Sequence, residues 1–313
     1  MRKGGRWRKL GLLYDPLSRQ SGDRHPKLLS HAANPLPVHI EGDVYRIFYS
    51  GRDNENRSSV GAVDIDILKR AVVRDHKVPF FEHGPPGSFY EAGVSVGNCY
   101  DFSGARYIGF MGWQNPIGEH WRGDIGRLAI TQDMGLQLDS PSPMLGADPT
   151  DPVSLSYPWI ASNESGRGLR MWYGSTLSWD AGNGEMLHVI KYATSDDGRQ
   201  WQRKGLSVSY ELGVAQAFSR PTVIASHDGG LDMWFSFRSG SGEKYRIGYA
   251  HSYDGLNFEL ELDYVGINVS LDGWDSEMLE YPYVLQHAGQ LFMLYNGNGY
   301  GKTGFGLALY VEP

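Results

Sequence analysis

Residues 220–258 read RPTVIASHDGGLDMWFSFRSGSGEKYRIGYAHSYDGLNF and decide the fold. Three short runs in this stretch, 222–225, 232–237 and 245–252, are rich in β-branched and aromatic residues. Glycine and polar residues separate the runs, and these residue types favour tight turns. In the last run, alternate residues fall on opposite faces of a pleated strand. The stretch therefore predicts a small antiparallel meander.

An aromatic residue in the middle run recurs along the whole chain. Phe235 ends the sequence Gly-Leu-Asp-Met-Trp-Phe, and Tyr173 ends the matching sequence Gly-Leu-Arg-Met-Trp-Tyr. The same slot is filled every 60 to 63 residues, by Tyr49, Phe110, Tyr173, Phe235 and Tyr295. A period this even indicates one supersecondary unit used five times. We therefore predict an all-β fold, a five-bladed β-propeller of antiparallel four-stranded blades.

The repeat also predicts the domain organisation. A long β-sandwich is the competing architecture, and the regular period argues against it. Residues 1–313 are expected to form a single propeller domain, in which residues 1–30 supply an N-terminal strand and a mouth loop. The strand near 7–14 is expected to join the last blade, because that pairing would remove an open sheet edge.

Composition excludes several function classes. The net charge is −7 and no basic stripe is present, which argues against a nucleic-acid partner. No apolar run is long enough to span a bilayer, so no membrane partner is predicted. Cys99 is the single cysteine, which excludes an internal disulfide. Because the sequence also lacks a signal-peptide core, we predict a cytoplasmic location.

Several runs resemble the five-bladed glycosidase-like superfamily, which includes arabinanases and xylosidases, invertases and levansucrases, and mannoside phosphorylases. They are GSFYEAGVSV at 87–96, MWYGSTLSW at 171–179, YRIGYAHSYDGLNF at 245–258 and WDSEMLEYPYV at 274–284. The similarity covers about residues 30–310. The resemblance implies a sugar site at the narrow end of a central tunnel, with acidic residues delivered by the innermost strands of different blades.

The sequence departs from the catalytic patterns of that superfamily. The Asn-Asp-Pro-Asn motif of the invertases is absent, and the nearest sequence is Ala33-Asn34-Pro35. A proline near the start of the first strand occurs in four of the units, after Asn34, Tyr157, Arg220 and Tyr281. We align the second unit to these through Gly93-Val94-Ser95-Val96. On this alignment only the second and fifth units offer a carboxylate, Glu91 and Glu280.

Glycosyl transfer needs one carboxyl group to protonate the leaving oxygen and another to activate water or attack the sugar. A neighbouring arginine can keep one of the two ionised. Glu91 and Glu280 are therefore the predicted catalytic pair, with Arg220 as their electrostatic partner. Pro221 is expected to hold Arg220 in extended geometry. The alternative is that both carboxylates pair with Arg220 in a structural network at the axis.

Further residues are predicted to bind the substrate. Aromatic faces stack on sugar rings, tyrosine hydroxyls donate hydrogen bonds, and polar side chains in loops and at strand starts bind hydroxyl groups. The candidates are His31, Asn34, Asp53, Trp113, Tyr157, Trp179, Arg238, Asp275, Tyr281 and Asn298. For Asp53 the alternative is an ion-pair cluster with Arg52 and Arg57 within its loop, and for Asp275 a solvated loop face. No cofactor or transition metal is predicted, because no second histidine lies at metal-ligand spacing.

Three functions remain open from the sequence. The first is a carbohydrate-active enzyme, a glycoside hydrolase or phosphorylase that acts at the axial mouth through a carboxylate acid/base pair. The second is a non-hydrolytic protein of sugar recognition or polysaccharide biosynthesis on the same fold. The third is a propeller used as an interaction platform without sugar. The predicted partner in the first two is a carbohydrate or a glycosylated small molecule.

Overall fold

The computed structural model describes residues 5–18, 23–163, 167–227, 229–240 and 242–312. Asp228 and Ser241, which belong to two of the predicted turns, lie outside the described residues. The described part of the chain forms twenty β-strands, with a 3-10 helix at Leu262–Tyr264. None of its helices is long and apolar enough to cross a membrane. The cytoplasmic location and the exclusion of nucleic acid remain predictions.

The strands occur in consecutive antiparallel groups of four. The first group contains β2 (Ser30–Glu41), β3 (Val44–Arg52), β4 (Ser58–Asp66) and β5 (Ala71–Asp75). The second contains β6 (Gly93–Phe102), β7 (Ala105–Gln114), β8 (Arg122–Ile130) and β9 (Leu136–Leu138). A single parallel bridge between Ser58 and Gly93 joins these two groups into one eight-stranded sheet.

The remaining groups are separate four-stranded sheets. The third contains β10 (Ser154–Ser162), β11 (Leu169–Ser178), β12 (Leu187–Ser195) and β13 (Gln202–Leu206). The fourth contains β14 (Ser219–Ala225), β15 (Leu231–Phe237), β16 (Arg246–Ser252) and β17 (Glu259–Leu260). The fifth combines β18 (Glu280–His287), β19 (Gln290–Asn296) and β20 (Phe305–Val311) with β1 (Arg6–Tyr14) from the start of the chain.

The pairing of β1 with β20 confirms the expectation that the N-terminal strand completes the last sheet. The first strands of the groups also contact one another in a closed cycle, β2 with β6, β6 with β10, β10 with β14, β14 with β18, and β18 with β2. They therefore surround a common centre. The all-β prediction, with antiparallel four-stranded sheets, is confirmed.

The recurring aromatic residues lie in equivalent second strands and are buried, as predicted. In four groups the residue opposite the aromatic on the third strand is a glycine, in the pairs Tyr49–Gly61, Phe110–Gly126, Phe235–Gly248 and Tyr295–Gly306. A Cβ atom at Gly126 would lie 2.6 Å from the Phe110 ring. The glycine therefore gives the ring the space above the sheet, which explains why aromatic residues and glycine recur together.

Candidate functional site

Each first strand carries a two-residue bulge at the same place. The inserted residues are Asn34-Pro35, Gly97-Asn98, Tyr157-Pro158, Arg220-Pro221 and Tyr281-Pro282. A bulge bends the strand and redirects a side chain, in these strands toward the common centre. The second group is therefore aligned by Gly97-Asn98, and our sequence alignment through residues 93–96 is wrong.

The residues before the four prolines adopt positive φ, with values of 57° at Asn34, 32° at Tyr157, 49° at Arg220 and 53° at Tyr281. The prediction that Pro221 holds Arg220 in extended geometry is therefore wrong. Positive φ in a non-glycine residue costs about 1–3 kcal/mol and persists only where surrounding contacts impose it. In the second group, a Cβ atom at Gly97 would lie 2.3 Å from the carbonyl oxygen of Pro158. Glycine at this bulge lets β6 and β10 approach closely.

Arg220 is fully buried at the centre, with 2% of its surface exposed. Its guanidinium donates to the carbonyl oxygens of Tyr281 at 2.6 Å and Pro35 at 2.8 Å. Longer bonds reach Pro282 at 3.3 Å and Gly97 at 3.5 Å. Burial lowers the pKa of Arg220 to about 10. The side chain thus holds first strands of three other groups together, and it has no ion pair with Glu280 among the described residues.

A cavity of about 440 Å³ lies beside this centre. Its walls combine aromatic rings, amides, hydroxyl groups and two arginines: Asn34, Ser50, Arg52, Asn56, Ser58, Ser95, Met111, Trp113, Asn115, Trp121, Ser156, Tyr157, Met186, His188, Ser219, Arg238, Tyr245, Tyr281 and Tyr300, with Ala33. None of these described lining residues is acidic. The Oδ1 atom of Asn34 is buried without a hydrogen-bond partner among the described residues.

Glu280 is completely buried at the residue directly before the fifth bulge. Both carboxyl oxygens lack a hydrogen-bond partner among the described residues. Burial raises the pKa of Glu280 well above its ordinary value, against the opposing charges of Arg52, Arg238 and Arg220. The equivalent residues of the other groups are Ala33, Val96, Ser156 and Ser219. Glu280 is thus the single carboxyl group delivered by these equivalent positions, and its burial favours the protonated form.

Three tyrosines lie within electrostatic range of this carboxyl group. The hydroxyl oxygens of Tyr157 and Tyr281 lie 3.4 Å apart, and their ring centroids are separated by 5.4 Å. Burial raises the pKa values of Tyr157, Tyr245 and Tyr281, and the Glu280 carboxylate, once it is ionised, raises them further. All of these phenols therefore stay protonated at neutral pH and can donate hydrogen bonds into the cavity.

His188 bridges two hydroxyl groups in the cavity wall. Its Nε2 atom lies 2.6 Å from Ser156 Oγ, and its Nδ1 atom lies 2.7 Å from Thr176 Oγ1. Burial, assisted by the charge of Arg238, lowers the pKa of His188 to about 3. The imidazole is therefore neutral at neutral pH, with one nitrogen donating and the other accepting.

The depressed pKa of His188 predicts acid sensitivity. An unfolded histidine takes up a proton near pH 6.5, whereas folded His188 does so only near pH 3. The free energy of unfolding should therefore fall as pH decreases through this window, by about 1.4 kcal/mol for each unit of pKa difference. Urea unfolding from pH 7 to 4 should show a shallower pH slope in His188→Gln. Parallel slopes for the variant and the wild type would contradict the assignment.

Two arginines line the cavity, and they differ in their partners. Arg238 donates to Glu185 Oε1 at 2.7 Å, and its guanidinium carbon lies 4.8 Å from the centroid of the Tyr245 ring. Arg52 forms no side-chain hydrogen bond or ion pair with any described residue. Trp113, which donates from Nε1 to Ser58 Oγ at 3.0 Å, also lines the cavity.

Glu91 does not lie beside Glu280. Its carboxylate accepts from the Gly87 amide at 2.5 Å and lines a separate pocket with Lys27 and His83. Glu91 precedes Val96, the structural counterpart of Glu280, by five residues, so it lies in the loop that leads to β6. The predicted catalytic pair is therefore not assembled. Asn115 lines both the cavity and this pocket.

Other predicted binding residues stabilise loops. Asp53 accepts from the backbone amide and side chain of Arg57, both at 2.9 Å, which matches one half of the ion-pair cluster considered for it. No ion pair joins Asp53 to Arg52 among the described residues. Asp275 is buried and forms an ion pair with Lys9 at 2.7 Å, so it does not lie on a solvated loop face. Asn298 Oδ1 accepts from the Glu277 amide at 2.8 Å.

His31 and Trp179 also lie outside the set of lining residues. His31 Nδ1 lies 2.8 Å from Ser30 Oγ, and burial together with Arg52 and Lys302 lowers its pKa to about 4. Trp179 lines an open pocket that shares Trp121 with the cavity. Of the predicted binding residues, the structure brings Asn34, Trp113, Tyr157, Arg238 and Tyr281 to the cavity.

Sequence reasoning missed Arg52, Trp121, His188, Tyr245 and Tyr300 among the lining residues. A signal for some of them was present. Arg52, Trp113 and Arg238 each lie three positions after a recurring aromatic residue, where the second strand ends at the cavity. Trp121 and Tyr245 lie directly before the start of a third strand, and His188 is the second residue of another. The described residues contain no cluster of three or more metal-binding side chains.

Solved structures with the same fold are carbohydrate-active proteins. One, described under "The GH130 family of mannoside phosphorylases contains glycoside hydrolases that target beta-1,2 mannosidic linkages in Candida mannan", is 11% identical, with a TM-score of 0.73 over 97% of this chain and 93% of that chain. A glycosyl hydrolase from Bacteroides ovatus is 12% identical, with a TM-score of 0.72 over 97% and 93%. A thermostable family-43 glycoside hydrolase is 15% identical, with a TM-score of 0.66 over 92% and 90%. At these identities the likeness shows a shared fold, which agrees with the fold that the sequence resemblance implied.

Two curated proteins of Mycobacterium tuberculosis are much more similar to this chain in sequence than these solved structures are. Uncharacterized protein MT1551 (strain CDC 1551 / Oshkosh) is 41% identical over 306 residues, which cover 97% of this chain and 98% of the relative. Uncharacterized protein Rv1502 (strain ATCC 25618 / H37Rv) shows the same identity and coverage. The chain belongs to the family of these two proteins. A search of protein-family models gave no match.

Proposed function

We infer that this chain is a carbohydrate-active protein in which a glycosyl group binds in the axial cavity. The five groups of four strands are the blades of a five-bladed propeller, and residues 1–313 form one domain. The closed cycle of first strands supports this arrangement. The fold relatives supply only the class of ligand, since their sequence identities are low.

The composition of the cavity wall carries the proposal. Trp113 and Trp121 offer ring faces and edges for the carbon skeleton of a sugar, and the amides of Asn34, Asn56 and Asn115 can bind its hydroxyl groups. The buried, unpartnered Oδ1 atom of Asn34 needs a donor, which a sugar hydroxyl provides. A volume of about 440 Å³ lies within the range of small-molecule sites.

Glu280 is the proposed general acid; its carboxyl group is completely buried and is not among the lining residues, so proton donation requires that it reach the ligand from behind the cavity wall. Burial raises the pKa of this carboxyl group and favours its protonated form, which is the form that can donate a proton to the leaving oxygen of a glycosidic bond. A second carboxylate is needed where hydrolysis proceeds by the two-carboxylate mechanism. The described cavity lining supplies none. We therefore propose glycosyl transfer assisted by a single protein acid, in hydrolysis or phosphorolysis, rather than by the Glu91–Glu280 pair.

Sugar recognition without turnover is the second candidate. The observation that favours it is the lack of an acidic residue among the described lining residues. In that case Glu280 would act as a buried hydrogen-bond donor to a bound sugar, and no bond would be cleaved.

The test is a panel of aryl glycosides and monosaccharides, with and without inorganic phosphate. Binding is followed through tryptophan fluorescence, because Trp113 and Trp121 line the cavity. We expect at least one glycoside to bind, with more than tenfold weaker binding in Trp113→Ala. A control at exposed Leu271→Ala should bind like wild type, since that side chain is fully exposed. Failure of the whole panel, together with an unliganded cavity in crystals soaked with the same sugars, would refute the proposal.

A further inference from the structure

We propose that the cavity binds a negatively charged oxyanion group, a carboxylate or a phosphate, on the guanidinium of Arg52. The group is carried by the glycosyl ligand or bound beside it, so the inference rests on the proposed sugar site and specifies its ligand chemistry. Arg52 is the last residue of β3 and lines the cavity.

Arg52 has the properties of an anion-binding residue. Its guanidinium lines the cavity without a hydrogen bond or ion pair to any described residue. Other partly buried arginines are paired: Arg46 with Asp64, Arg127 with Asp139, and Arg203 with Asp148. A guanidinium presents a planar fork of donors that matches a carboxylate or phosphate. In a partly enclosed cavity such a fork favours an ionised partner.

The electrostatic surroundings of Arg52 lack a compensating charge. The described lining residues include no aspartate or glutamate. Glu280 lies within electrostatic range of Arg52, but burial raises its pKa and favours the uncharged carboxyl group, which does not balance the guanidinium. Because Glu280 lies within electrostatic range of Arg52, an ionised Glu280 carboxylate would compete with a bound anion for the guanidinium. The charged side chains of the described cavity wall, Arg52 and Arg238, are therefore both positive. Arg52 also acts on nearby His31, whose pKa is lowered by burial and by the charges of Arg52 and Lys302.

Arg238 plays a different part in the same cavity. Its ion pair with Glu185 already satisfies one face of the guanidinium. It can therefore orient a ligand by hydrogen bonding but offers less uncompensated charge than Arg52. This difference predicts that anion affinity depends mainly on Arg52.

The test compares wild type with Arg52→Gln and with a matched control, Arg106→Gln. Arg106 lies at the other end of β7 from the cavity residue Trp113 and pairs with exposed Asp101. Both variants lose one positive charge, so a nonspecific charge effect appears equally in both. Tryptophan fluorescence follows titrations with inorganic phosphate and sulfate at constant ionic strength, set with sodium chloride. A second arm compares methyl glucuronide and glucose 6-phosphate with methyl glucoside. Circular dichroism melting verifies that each variant is folded.

We expect saturable binding of at least one of these anions that weakens at least tenfold in Arg52→Gln and is retained in Arg106→Gln. Tighter binding of a charged sugar than of methyl glucoside assigns the charge to the glycosyl ligand, whereas preference for phosphate alone assigns it to a separate anion. Equal affinity in the two variants, or no anion bound better than methyl glucoside, overturns the inference. Neutral sugars that bind in that case leave the proposed function intact. Anions that bind while every glycoside fails support the anion site and contradict the sugar site.

Discussion

Glu280→Gln should abolish glycosyl transfer while leaving the fold at least as stable as wild type. Loss of general acid assistance alone lowers a rate by about 10²–10⁴. The amide is almost isosteric with the carboxyl group and cannot release a proton to a leaving oxygen. No described residue bonds to the Glu280 carboxyl oxygens, so the substitution breaks no hydrogen bond or ion pair among the described residues. Turnover of whichever glycoside the panel identifies, together with thermal melting, measures both effects.

The pH dependence of stability supplies an independent check on Glu280. The pKa of this carboxyl group is raised in the folded state, so the unfolded chain loses its proton at lower pH than the folded chain does. The free energy of unfolding should therefore decrease as pH rises above the ordinary value of 4.5 toward the raised value. Glu280→Gln removes this loss. The stability difference between variant and wild type should grow in favour of the variant as pH increases.

Glu91→Gln is the matched control, because Glu91 was predicted from sequence as the second catalytic group and lines a separate pocket. We expect its turnover to stay within a few-fold of wild type. Equal loss of turnover in both variants would restore the carboxylate pair. Normal turnover in Glu280→Gln would remove Glu280 from the mechanism and favour the recognition protein.

The fold could be predicted from the sequence because its determinants are local and repeated. Each aromatic residue of the second strand meets its partner across a single pair of strands, as Phe110 meets Gly126. Such a contact recurs wherever the unit recurs, so a constant spacing of aromatic residues is enough to identify the strands. Pairing of β1 with β20 followed from the same unit, since the last group needed a fourth strand.

The site could be predicted only in part because it depends on register. Prolines marked the bulges of four first strands, and this led to Asn34, Tyr157 and Tyr281 at the cavity. In the second group Gly97 occupies the position of the strained residue, and Asn98 rather than proline follows it. Because no proline identified this bulge, the sequence alignment placed Glu91 too close to the position of Glu280. Residues such as His188 reach the cavity through tertiary approach of a third strand, which no local pattern encodes.

Arg220→Met should destabilise the protein strongly, for a reason that sequence alone did not reveal. The sequence suggested an electrostatic partner for two carboxylates, whereas the structure places the guanidinium on backbone carbonyl oxygens of Tyr281 and Pro35. Truncation leaves these buried acceptors without donors, at about 1–3 kcal/mol for each. Two orphaned acceptors therefore predict a loss of roughly 2–6 kcal/mol. Urea unfolding at pH 7 measures the change.

Two further variants separate the role of Arg220 from that of its charge. Arg220→Lys keeps the positive charge, but an ammonium group on a flexible chain cannot reproduce the fork that spans β18 and β2, so intermediate stability is expected. Arg106→Met makes the same truncation on the surface and should change stability by less than about 0.5 kcal/mol. If Arg220→Met unfolded at the same urea concentration as Arg106→Met, the carbonyl contacts would not stabilise the ring. A lysine variant equal to wild type would instead show that charge alone suffices. A stability to urea that decreases from wild type to Arg220→Lys to Arg220→Met would show that the guanidinium of Arg220 holds the first strands around their common centre.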